Sequence, residues 1–150
     1  MNRPIKVKTY CLLLIISIIV VLCACRPAPA ANPPEKPLGQ PDRVDVVYFS
    51  RGKPCHCIAV VGDQVYATVW LNFQRELSSG KLTFEIVDLD DPKNVSISRK
   101  YNASTFSLFI NGVRGDHERI IAVPEIWSTP SDAIRELVKR KIEQSLNGEL

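Results

Sequence analysis

Six prolines fall within the sixteen residues RPAPAANPPEKPLGQP, positions 26 to 41, and they limit what this chain can fold into. Proline lacks a backbone donor and fixes one backbone torsion, so a stretch this rich in it enters neither a helix interior nor a sheet ladder. Such a segment favours extended polyproline geometry and spans roughly 50 Å at ~3.1 Å per residue. Residues 25–41 therefore read as a tether. The fold has to be built from residues 42–150, which suffice for one domain with a modest core.

What precedes the tether has the pattern of an export signal. Arg3, Lys6 and Lys8 form a positive head, and CLLLIISIIVVLCAC, Cys11 to Cys25, runs for 15 residues without a charge. That is short for a spanning helix, which needs roughly 17 to 25 residues, and suits a signal core. Leu22 to Cys25, LCAC, resembles a bacterial lipobox, which would make Cys25 the lipidated new N-terminus of the mature chain. An uncleaved anchor is the alternative. Both place the domain on a membrane, at the outer face of a bacterial envelope.

Loss of residues 1–24 takes the formal net charge from +3 to zero, so the basic character belongs to the signal. The domain keeps no clustered Lys and Arg that would bind phosphate backbones, and nucleic acid is not an expected partner. Cys11 and Cys23 leave with the signal and Cys25 is taken by lipid. Only Cys55 and Cys57 remain, in RGKPCHC, and a bridge so local closes almost no loop and staples nothing.

Around that pair the apolar pattern changes period. RVDVVYFS (43–50) is β-branched and alternating, a first strand. From Ile58 the residues Val61, Val65, Val69, Phe73 and Leu77 recur at helical spacing up to Gly80, with Gly62 a weak point. LTFEIVDLD (82–90) is a second strand with Leu82, Phe84 and Ile86 on one face. Asp91 and Pro92 cap and open a short helix reaching Tyr101. STFSLFI (104–110) and ERIIAV (118–123) read as a hairpin, turned at Asn111-Gly112 or at Arg114-Gly115-Asp116. A last helix is expected behind Thr129 and Pro130, ending at Asn147-Gly148. The expected fold is α/β, order βαβαββα, with a mixed four-stranded sheet flanked by helices. Helical crossovers make the first three strands parallel in this reading, with an antiparallel edge added by the hairpin.

The cysteines admit three roles: a redox couple, two ligands of a soft metal, or small buried thiols. A helix N-terminus favours a thiolate, and Arg51 and Lys53 bring positive charge near, with His56 able to assist when protonated. A metal reading has Cys55 and Cys57 as ligands and suits Cu(I) better than a closed zinc site, which wants four ligands. His117 lies near the hairpin turn and reads as a solvated loop residue. Asp88, Asp90 and Asp91 fit strand-end solvation and capping better than a cation site, and Trp70 and Trp127 fit packing.

The element order, with cysteines between the first strand and a long helix, resembles the thioredoxin fold over nearly all of residues 42–148. More narrowly, VDVVYFSRGKPCHC, SSGKLTFEIVDLDDPKN and RKYNASTFSLFING resemble the exported thioredoxin-like family described as the nitrophenyl compound nitroreductase subunit ArsF family. The resemblance implies thiol-disulfide exchange, with Cys55 attacking and Cys57 resolving. It also implies that Ser104 stands where thioredoxins place a cis-proline, before Thr105, in a loop facing the cysteines. Two departures stand out: one residue separates the cysteines instead of two, and the proline is missing. The tight spacing makes a bridge strained and easily reduced, while the missing proline favours metal. The expected partners are a membrane and the thiols of a partner protein or redox complex, and a docking role as an accessory subunit is the remaining alternative. No flavin or nicotinamide fingerprint is present, so no cofactor is expected.

Overall fold

A computed structural model of the chain describes residues 39–150. The signal, the lipobox cysteine Cys25 and most of the tether lie outside the described residues. No helix among the described residues is long and apolar enough to cross a membrane.

The chain forms β1 (Arg43–Ser50), α1 (His56–Asn72), α2 (Gln74–Ser79), β2 (Leu82–Asp88), α3 (Val95–Lys100), β3 (Leu108–Arg114), β4 (His117–Ala122) and α4 (Ile134–Leu146). Short 3-10 turns cover Pro92–Asn94 and Pro124–Trp127. The four strands make one sheet in the order β2-β1-β3-β4, the α/β architecture expected from the sequence. β1 runs parallel to β2, pairing Val44 with Leu82 and Ser50 with Asp88. It is antiparallel to β3, and β3 to β4. The expectation of three parallel strands is therefore corrected. The link from β2 to β3, through a six-residue helix and a turn, enters β3 at the same end of the sheet that β2 leaves, so β3 runs back.

β1 is central, and its pleat feeds two cores. Val44, Val46 and Tyr48 face Val61, Val65 and Val69 of α1 and Val138 and Ile142 of α4. Val47 and Phe49 face the other way, onto Val87, Tyr101 and Phe109, where the Phe49 and Phe109 rings meet edge to face at 5.6 Å. Burial on both faces explains why RVDVVYFS is nearly continuous in apolar residues at its end.

Several boundaries differ from the sequence expectation for visible reasons. The long helix breaks at Phe73, whose backbone (φ −125°, ψ 30°) leaves helical geometry while its side chain stays buried on the expected face. Gly80 ends α2 in the left-handed region at φ 74°. β3 starts four residues late, because Ser107 Oγ donates to the Ser104 carbonyl and Phe106 sits at φ 60°, closing a turn before Leu108. It then continues through Asn111-Gly112 and turns at Gly115, where the Gly115 N–H donates to Asp42. Asp91 caps as expected, accepting from the Lys93 N–H at 2.9 Å. Thr129 does not cap α4. Its hydroxyl donates to the Glu125 carbonyl within the preceding 3-10 turn, and Ala133 takes the cap position.

Candidate functional site

β1 delivers the chain to the turn Arg51–Pro54, where Gly52 adopts φ 50°, and α1 starts immediately beyond it. Cys55 is the N-cap residue, extended at φ −63° and ψ 162°, and its carbonyl accepts from the N–H groups of Ile58 and Ala59 at 3.0 Å. Cys57 lies in the first turn. Both thiols are free and exposed, which removes the reading of two buried structural thiols.

The two sulfurs are 2.8 Å apart. The contact sets the thiols in opposite directions. The Cys55 thiol is lowered from its ordinary value, first by the hydrogen bond from Cys57 and then by the Ile58 N–H at the helix start. The Cys57 thiol is raised, first because it serves as donor to Cys55 and then by desolvation. The arrangement favours Cys55 as the more acidic thiol, beside a helix N-terminus whose free N–H groups stabilise an anion. Neighbouring cations act less than the sequence suggested. Arg51 turns its guanidinium to Asp90 at 3.3 Å, and neither Arg51 nor Lys53 is among the causes of the Cys55 shift.

His56 is the first residue of α1 and is exposed beside the pair. Ser104 and Thr105 line a hollow of about 330 Å³ with Pro124 and Trp127, whose lining does not include the cysteines. Phe106 of the same loop lies by the start of α1. With Pro54, Ile58 and Tyr48 it lines a groove of about 380 Å³. A bulky residue at positive φ is unusual and strained, and here packing of Phe106 against the α1-side core holds it. On the other flank, Cys57 and Ile58 border a second groove of about 390 Å³ with Ile126 and Trp127.

Tyr48, which the sequence marks only as part of the Tyr48-Phe49 strand end, lies behind the groove. It is 3 % exposed on the central strand, and its hydroxyl has no hydrogen-bond partner among the described residues. Burial pushes its ionisation up to about 12, so it stays neutral. The sequence signal for it is Gly62: a Cβ there would come within 3.2 Å of the Tyr48 ring, so glycine inside α1 marks a close approach of helix and sheet.

No group of three or more His, Cys, Asp or Glu that could hold a metal occurs among the described residues. His117, expected in a loop, opens β4 with its side chain 81 % exposed. Asp88 accepts from the Asp90 N–H, and Asp90 pairs with Arg51, so these acidic residues organise the turn after β2.

No family model matches the chain, and no curated protein matches it. Among solved structures, the solution structure of a thioredoxin from Thermus thermophilus overlaps with a TM-score of 0.44 at 13 % identity, covering 69 % of this chain and 76 % of that one. The domain is thioredoxin-like in its own topology: a parallel β1-β2 pair, an antiparallel β3-β4 hairpin on the far side of β1, and a cysteine pair where β1 gives way to α1.

Proposed function

We propose that this chain is a membrane-tethered protein of the bacterial cell envelope that carries out thiol-disulfide exchange through Cys55 and Cys57. The observation that carries the reading is the sulfur pair itself: exposed, 2.8 Å apart, with one thiol lowered and the other raised. In oxidation of the pair, the Cys55 thiolate attacks one sulfur of a partner disulfide, forming a mixed disulfide and expelling the partner's other sulfur as a thiolate, which takes up a proton. Cys57 then loses its proton and attacks the Cys55 sulfur, releasing the second partner thiolate. The pair ends as a disulfide and the partner as a dithiol, two electrons having moved to the partner. The reverse sequence oxidises a partner dithiol.

The tether and location rest on residues 1–41: a positive head, a signal core, LCAC and the proline run. The narrower likeness to the exported nitroreductase-subunit family rests on VDVVYFSRGKPCHC and KYNASTFSLF, and it would make the partner a component of a redox complex.

Thiol trapping across a series of glutathione buffers tests the reading. A reversible two-electron transition is expected, with a midpoint above the roughly −300 mV ceiling of inert structural disulfides. Cys55→Ser and Cys57→Ser each remove it, and His56→Ala shifts it. Alkylation followed against pH gives a second arm. Cys55 should keep reacting below the ordinary thiol range, because its lowered ionisation leaves thiolate present there, and Cys57 should become reactive only above that range. A pair that does not titrate, or two thiols with the same pH profile, would refute the assignment.

A further inference from the structure

The groove beside the cysteine turn does not end there. Its far wall is Tyr66 of α1 and Ile86 of β2, and the Tyr66 ring continues to Trp70 at 6.0 Å and to Phe84 at 6.1 Å. Tyr66, Trp70 and Ile86 are about half exposed. This apolar strip follows the outer edge of β2, and among the described residues β2 has a strand on one side only. An unpaired edge offers a row of free N–H and C=O groups, which proteins usually guard with charge. β4 carries His117, Glu118 and Arg119 in succession. β2 carries Glu85 and Asp88, both acidic, and presents Phe84 and Ile86 on its α1 side.

We infer that the β2 edge accepts an extended segment of the redox partner as an added strand, with apolar residues alternating with basic ones. The inference rests on the exchange reading above and names the kind of substrate that brings its sulfur to Cys55. The alternation follows from the pleat. Phe84 and Ile86 turn toward α1, whereas Thr83 and Glu85 turn to the other face, where they line a polar hollow with Asp45 and Lys100. In that hollow Arg43 is paired with Asp45, and Lys100 with Glu118. Glu85 takes part in no ion pair among the described residues, so a cation beside it completes the set. The end of β2 meets the cysteine turn, because Ser50 is registered with Asp88 and accepts from the Leu89 N–H at 2.9 Å. A strand laid along β2 thus reaches the start of the loop that carries Cys55.

The test separates docking from chemistry. The full chain, with both Cys55 and Cys57 replaced by Ser, is titrated with the capped peptide Val-Lys-Val-Lys-Val-Ser and with Val-Val-Val-Lys-Lys-Ser of the same composition, following backbone amide and indole resonances. The alternating peptide should move Thr83–Val87 and the Trp70 indole and leave β4 in place. It should bind about tenfold more tightly than the block peptide, and Ile86→Lys and Glu85→Lys should each cost about tenfold. Equal binding of the two peptides, or shifts at β4, would overturn the inference. So would β2 shifts that grow with protein concentration in the absence of peptide, since the occupant would then be a second copy of the chain. The glutathione titration of the native pair is independent of every one of these readings, so a failed edge leaves thiol exchange standing, and a pair that does not titrate leaves the edge a docking surface without exchange.

Discussion

Helices α1 and α4 pack side by side on the same face of the sheet, yet they are built on different rules. α4 carries six charged residues in thirteen positions, and its buried residues, Ile134, Leu137, Val138, Ile142 and Ser145, form one stripe. α1 has seventeen residues and, apart from His56, a single residue of the Asp, Glu, Lys and Arg type, Asp63. It buries Val61, Val65, Thr68 and Val69, and still presents Tyr66, Trp70 and Leu71 to the exterior. A helix with one apolar stripe is satisfied by one core, whereas a helix apolar on two sides has surface left for a partner. The difference marks the Tyr66, Trp70 and Leu71 side of α1 as exposed apolar surface without reference to the cysteines that begin the helix.

The comparison breaks first in the core, where the two helices should behave alike. Phe73→Ala just beyond α1 is expected to cost about 3–5 kcal/mol, and Ile142→Ala in α4 about 2–5 kcal/mol, by chemical denaturation. A loss under about 1 kcal/mol at either site would mean that only one helix supports the sheet. The contact between α1 and β1 gives the next largest effect. Tyr48→Phe removes a buried hydroxyl that has no partner, and it should raise stability by about 1 kcal/mol. Gly62→Ala should stabilise little in the native chain, since the gain in helix propensity of about 1 kcal/mol meets the Tyr48 ring, and the gain should return when Tyr48 is also cut to Ala. Additive effects in that double-mutant cycle would show that helix and ring do not touch. The smallest effects belong to the outer faces. Trp70→Ala and Glu136→Ala should each change stability by less than about 0.5 kcal/mol, and only Trp70→Ala should alter peptide docking at β2.

What the sequence carried follows the same division. Elements set by local pattern were legible: β1 by its β-branched run, the 3-10 turn leading into α3 by Asp91-Pro92, the end of α4 by Asn147-Gly148. The pair Cys55 and Cys57 at a helix start was also legible, because strand and helix periods meet at PCHC. Features decided by contacts distant in sequence were not. The direction of β3 depends on where its connection enters the sheet, and the start of that strand depends on the backbone of Phe106. The helix break at Phe73 keeps the side chain on its expected face, so the spacing gives no sign of it. The helix N-terminus expected to act on Cys55 does so through the Ile58 N–H, whereas Arg51 is drawn to Asp90, a partner distant in sequence. The environment of the Ser104-Thr105 loop depends on Trp127, which no local pattern joins to it.

β1 is bonded along both sides, to β2 from Val44 to Ser50 and to β3 from Arg43 to Tyr48. The turn that follows it, Arg51–Pro54, makes few backbone bonds and is wholly exposed. In isotope exchange these adjacent segments should lie at opposite ends of the scale, with β1 amides released only when the whole domain opens and those of the turn exchanging from the native state. In the proposed exchange, an exposed turn of four residues separates the doubly bonded β1 from Cys55, so a disulfide would form and break beyond the end of β1 without the domain having to open.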